Sequence, residues 1–244
     1  MVMNQMLQFI KQMSGKIYGS DLTSLSNQAD PRKIAYLRNL QRELKKKDVL
    51  SVPFKELPVV VFDIETTGFY PYNGDCILSI GAVKMIGSEV LEDQLFYKTI
   101  YNDTPPSQEI VDLTGITGSE LKKAEPLDVV LKQFFQFVKS DTLVAHHSSH
   151  EKQFMKHASW TALKTSFQHR IIDTTFLTKV MAPEIEHVSL DDWCDHYDVP
   201  IGKRHHALYD AVATARLWSK GVQKVEDMGF HNLKDIYTHI ASLP

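Results

Sequence analysis

The chain has 244 residues, of which 43% are hydrophobic and 23% charged, enough for one full α/β domain plus an appendage, or two small domains at most. A formal net charge of −3 argues against a protein that coats nucleic acid along its length. The two cysteines, Cys76 and Cys194, lack CxxC spacing, no apolar run is long enough to span a bilayer, and no secretory signal opens the chain; the expectation is a reduced, cytoplasmic protein away from membranes. Charge is unevenly spread. Residues 1–57 carry ten Lys/Arg against five Asp/Glu, and the remainder carries 17 against 25, an acidic body with a basic appendage.

In chain order, Met3, Met6, Leu7, Ile10 and Met13 recur at helical spacing, as do Ile34, Leu37, Leu40 and Leu44. A Ser-, Asn- and Asp-rich loop from Gly19 to Pro31 separates them, and a linker runs from Lys45-Lys46-Lys47 past Pro53 to Pro58. Residues 1–57 are therefore expected to form a helical extension and linker, with the main domain at 58–244. The extension reads most simply as helices packed on the domain. A contact to a nucleic-acid backbone through Lys45 to Lys47, or partner recognition through the Met-rich face, are the alternatives.

From Pro58 the pattern becomes α/β. Val59-Val60-Val61-Phe62 reads as a buried strand, and Cys76–Met85 and Glu92–Tyr101 as two more, separated by the turn signals Asn73-Gly74-Asp75 and Gly87-Ser88. Helices are expected at Ile110–Leu121, around Val129–Val138, and at Glu151–Ala158, Thr174–Met181, Leu190–His196, Ala207–Lys220 and Leu233–Ala241. Leu143-Val144-Ala145 and Arg170-Ile171-Ile172 supply the last strands. Strands first, then strands alternating with helices, imply a mixed sheet flanked by helices.

Two constellations carry chemistry. Asp63-Ile64-Glu65-Thr66-Thr67-Gly68 follows the first strand, and period-two alternation puts Asp63 and Glu65 on one face. Carboxylates held so close repel unless a hard cation such as Mg²⁺ or Mn²⁺ lies between them. The dyad alone equally describes an acidic strand end followed by a turn. The second is His205-His206-Ala207-Leu208-Tyr209-Asp210, with Asp210 early in a helix and His205 on the loop that feeds it. An imidazole there can take a proton from water; taken singly, the two residues equally describe a helix-start Asp and a loop His.

Together these segments resemble the DEDDh exonuclease superfamily, the group containing the proofreading subunit of bacterial replicative polymerases. Val60 to Gly68 matches its first motif, Leu113-Thr114-Gly115-Ile116-Thr117 a segment between motifs, Leu143-Val144-Ala145-His146 the opening of the second, and His205 to Asp210 the third. The resemblance runs from about Pro58 to Trp218. It implies an RNase H-like α/β fold, a mixed five-stranded sheet of order 3-2-1-4-5 flanked by helices. Asp63, Glu65 and Asp210 would be metal ligands and His205 the general base. Two divalent cations, Mg²⁺ or Mn²⁺, would lie about 3.5–4 Å apart and clamp the scissile phosphate. Thr66, Thr67 and Gly68 would meet the terminal nucleotide, and Phe69 and Tyr70 either pack beside it or pack the loop. His146 belongs to the motif, and His147 would stack on a base or donate to a phosphate.

The second motif departs from the family's pattern. His146-His147-Ser148-Ser149-His150-Glu151 puts Glu151 where an Asp ligand is expected, one methylene longer, and His150 where an apolar or aromatic residue is expected. A zinc reading of His146, His147 and His150 lacks a Cys or third spaced ligand. The implied activity is 3′–5′ exonucleolytic release of nucleoside 5′-monophosphates from DNA. An exoribonuclease trimming RNA 3′ ends and an end-binding module with weakened catalysis are the alternatives, and a polymerase or repair enzyme is the implied partner.

Overall fold

A computed structural model describes residues 48–186 and 189–242. The helices and loop read between Met3 and Lys47 lie outside the described residues. Five strands, β1 (Pro58–Thr66), β2 (Ile77–Ile86), β3 (Glu89–Thr99), β4 (Thr142–Ala145) and β5 (Ile171–Asp173), form one sheet of order β3-β2-β1-β4-β5. β1, β2 and β3 run antiparallel; β4 pairs parallel with β1, and β5 parallel with β4. Among the described residues, eight α-helices surround them: α1 (Gln108–Thr114), α2 (Gly118–Leu121), α3 (Leu127–Val138), α4 (Ser149–Leu163), α5 (Thr175–Met181), α6 (Leu190–His196), α7 (Ala207–Asp227) and α8 (Leu233–Ser242).

The alternation of β1 divides the core. Val59 and Val61 pack with α5, α6, α7 and α8 on one face, through Leu177, Trp193, Trp218 and Ile236. Val60, Phe62 and Ile64 pack with α3 and α4 on the other, through Phe134, Phe154 and Met155. Asp63 and Glu65 continue the first series, so the strand directs both toward the α7 side.

Several boundaries differ from the sequence reading. The helix expected over Ile110–Leu121 is two, because Gly115 takes φ 76° and caps α1, while the Thr117 side chain accepts from Glu120 N and starts α2. β3 begins earlier, at Glu89, directly after a turn in which Gly87 has φ 60°. α4 spans Ser149–Leu163 rather than Glu151–Ala158. α7 continues past Lys220 to Asp227; Gly221 is an approach point, where a β-carbon would lie 3.1 Å from both Leu177 and Met181 of α5. Residues 48–57, expected as linker, form two 3₁₀ turns that bury Val49, Phe54 and Leu57 in the core.

Candidate active site

The first two carboxylates stand where β1 leaves the sheet. Asp63 pairs with Gly81 and Glu65 with Ser79 across β2, and the register shifts between Glu65 and Thr66. A register shift of this kind re-aims the end of a strand.

The third carboxylate comes from α7. A β-carbon on Gly81 would overlap the backbone of Ala207 and Leu208, so the glycine opposite Asp63 is what lets the start of α7 rest on the sheet. One helical turn on, Asp210 is buried. One oxygen from each of Asp63, Glu65 and Asp210 can be chosen so that all lie within 4.8 Å of one another. Arg204 Nη1 lies 2.6 Å from Asp210 Oδ1, and Arg204 grips Asp191 of α6 in a two-pronged pair through Nε at 2.6 Å and Nη2 at 2.9 Å. Next to it, His205 holds φ 54°, a left-handed conformation that costs a non-glycine residue energy and marks a constrained site. His206 stacks on Tyr97 of β3 at 4.4 Å between ring centres.

Glu151 arrives from the opposite face. Its helix packs among the residues that meet Phe62 and Ile64, and Glu151 is 4% exposed with Oε2 buried and lacking a hydrogen-bond partner. It stands near enough to Asp63 for its charge to raise the Asp63 pKa, yet outside the group of three. The turn before α4 is pinned by Asp173 at the end of β5. That carboxylate accepts from His147 N at 3.2 Å, Ser148 N at 2.8 Å and Thr175 N at 2.9 Å. His147 has φ 53°, and His146 Nδ1 lies 2.7 Å from Thr174 Oγ1. His146 precedes the helix that carries His150, so the two histidines do not share a helix face.

The loop after β1 is tied down by Asp75. Its carboxylate accepts from Thr67 Oγ1 at 3.2 Å and Tyr70 N at 2.8 Å, and Thr67 Oγ1 accepts from Cys76 N at 2.9 Å. A β-carbon on Gly68 would come 2.5 Å from Asp75 Oδ2, so a larger residue there would have to displace that carboxylate. Thr66 Oγ1 donates to Gly68 O at 2.7 Å and lies 3.4 Å from His150 Nε2.

Asp63, Glu65 and Glu151 hold protons more tightly than usual. Burial raises the Asp63 pKa well above its ordinary value, helped by the charges of Glu151, Glu65 and Asp210. Burial and then Asp210 push Glu65 to about 7, and burial followed by Asp173 pushes Glu151 to about 8. The clustered carboxyls of Asp63, Glu65 and Asp210, with a buried Glu151 oxygen lacking a partner, form an all-oxygen donor set suited to a hard divalent cation. Sequence reasoning brought out Asp63, Glu65, Asp210, His205 and Glu151. It passed over Gly81, Asp173, Asp75 and the Arg204–Asp191 pair, which hold them in place. Only Gly81, a glycine inside an apolar strand, carried a local signal for close backbone approach.

Comparisons with known proteins identify the family of the chain. The family model described as an exonuclease, RNase_T, matches residues 60–218. A DNA polymerase III PolC-type from Caldanaerobacter subterraneus subsp. tengcongensis is 33% identical over 178 residues, 72% of this chain and 12% of the polymerase. The chain thus spans about 12% of the length of the curated relatives it matches. Among solved structures, the nuclease domain of 3′hExo, a DEDDh family member bound to rAMP, superposes with a TM-score of 0.61 at 18% identity, covering 72% of this chain and 95% of that one. Exonuclease X in complex with 5′ overhanging duplex DNA gives 0.55 at 20% identity, covering 73% and 99%. The same sheet order and flanking helices recur in this fold. The chain belongs to the RNase_T exonuclease family.

Proposed function

We propose that this chain removes nucleoside 5′-monophosphates one at a time from the 3′ end of DNA, with Asp63, Glu65, Asp210 and Glu151 holding two divalent cations, Mg²⁺ or Mn²⁺. The observation that carries the reading is the meeting of Asp63, Glu65 and Asp210 within 4.8 Å, beside a buried Glu151 oxygen without a partner. When bound, the cations supply Lewis acidity at the phosphate and acidify the attacking water. The chain's own groups do the rest. His205 accepts the proton from that water. Arg204 keeps Asp210 and the His205 loop tied to α6 through Asp191. The backbone of Thr66, Thr67 and Gly68, rigid through Asp75, orients the terminal nucleotide, and His146 and His147 contact the strand.

DNA is favoured over RNA because the matched relatives are DNA polymerases. Their polymerase setting makes a polymerase or repair enzyme the partner we propose, in the cytoplasm. No described helix is long and apolar enough to cross a membrane. The test is to incubate matched single-stranded DNA and RNA oligomers with the protein and Mn²⁺, and to identify products by mass spectrometry. Deoxynucleoside 5′-monophosphates released faster than ribonucleoside 5′-monophosphates support the reading. Faster release from RNA replaces it with an exoribonuclease, and release of 3′-monophosphates removes it.

A further inference from the structure

The four most exposed large apolar side chains among the described residues are Phe69, Tyr72, Tyr70 and Trp160, at 75%, 69%, 66% and 58%. Three belong to the loop after Gly68 and the fourth to α4, whose start carries Glu151. The loop and helix are joined by rings: Phe69 meets His150 edge-on at 5.7 Å, and Tyr72 meets His157 edge-on at 5.2 Å. In an edge-on pair one ring keeps both faces clear of its partner. His157 and Trp160 are three residues apart on α4 and so share a helix side.

We propose that the single strand upstream of the scissile end runs over Tyr72, His157 and Trp160, a stacking track for successive bases. The inference rests on the exonuclease reading and names its substrate form. Three observations favour this occupant. The track is continuous with the candidate site, since His150 lies beside Glu151 and 3.4 Å from Thr66 Oγ1. It leads away along α4, whose rise of about 1.5 Å per residue carries it roughly 15 Å from His150 to Trp160. Charge matches as well: Lys152 and Lys156 are exposed one turn apart on the same helix, whose sole acid is the buried Glu151. Rings that stack bases beside lysines that meet phosphates are the elements of sequence-tolerant single-strand binding. A duplex stacks its bases on each other and offers them no free face.

The test compares a strand-free substrate, the p-nitrophenyl ester of thymidine 5′-monophosphate, with a ten-nucleotide oligothymidylate in Mn²⁺, for the wild type, Trp160→Ala and Tyr72→Ala. Fluorescence anisotropy of labelled oligothymidylate, with EDTA present to stop turnover, reports binding in parallel. Each substitution should lower kcat/KM on the strand about tenfold more than on the ester and weaken strand binding by a similar factor. Equal losses on both substrates would mean the rings only support the fold, and unchanged values on both would leave this face to a protein partner; either overturns the track. If the wild type hydrolyses neither substrate, the exonuclease reading has failed. The anisotropy titration then judges the track alone, and undiminished binding by the variants overturns it.

Discussion

Glu151 shows what a single side chain can decide. It is buried, one of its oxygens lacks a partner, and its charge bears on Asp63 from a helix packed on the opposite face of the sheet. A buried carboxyl left without a hydrogen bond is costly unless a cation or proton satisfies it. Charge therefore matters more here than length. Glu151→Gln, which keeps the shape and removes the charge, should lower kcat on single-stranded DNA on the order of a hundredfold. Glu151→Asp should stay within about tenfold of the wild type. Steady-state kinetics of the two variants side by side check this, and equal losses would mean that reach, not charge, is what the site needs. Histidine spacing marked His205 in the sequence, but its left-handed backbone and the Arg204–Asp191 pair beside it are products of the fold.

At the scale of elements, the site is where α7 crosses β1 and β2, and Gly81 is the contact that permits the crossing. Gly81→Ala must push the Ala207–Leu208 backbone away. Overpacking of this kind costs about 1–3 kcal/mol, and displacing Asp210 by about 1 Å should cost on the order of a hundredfold in kcat. Thermal unfolding and kcat should therefore fall together; a full rate in a destabilised variant would detach α7's position from catalysis. The strands were readable because β1 opens on the apolar run Val59–Phe62 and a glycine turn at Gly87 separates β2 from β3. The helices were readable because their apolar faces recur at 3.6 residues, as with Val130, Phe134 and Val138 of α3. Boundaries were less so. Gly115 and Gly221 are the same residue type, yet one ends a helix at φ 76° and the other lies within α7 against α5, and only tertiary packing separates the two. Asp173 anchors the backbone amides of His147 and Ser148, distant in sequence, which no local pattern announces.

For the molecule as a whole, gathering four carboxyls has a thermodynamic consequence. Glu65 and Glu151 titrate at about 7 and about 8 in the fold, against roughly 4.3 in an unfolded chain. Between those limits the folded state holds protons that the unfolded state has lost, so metal-free stability falls as pH rises through the folded values. From pH 6.5 to 8.5 in EDTA the loss is about 2–3 kcal/mol, a drop in Tm of roughly 5–10 °C. Mn²⁺ should restore more of the Tm at pH 8.5 than at pH 6.5, because a cation replaces the protons and must displace them at lower pH. Scanning calorimetry at the two pH values, with and without Mn²⁺, checks both signs. The most direct test of the central claim follows a 5′-labelled single-stranded DNA on a sequencing gel with Mn²⁺ or EDTA, for the wild type and Asp210→Asn. The expected result is a ladder that shortens from the 3′ end with Mn²⁺ and vanishes with EDTA or the variant. An undegraded strand in wild type with Mn²⁺, or a ladder that survives Asp210→Asn, would contradict it.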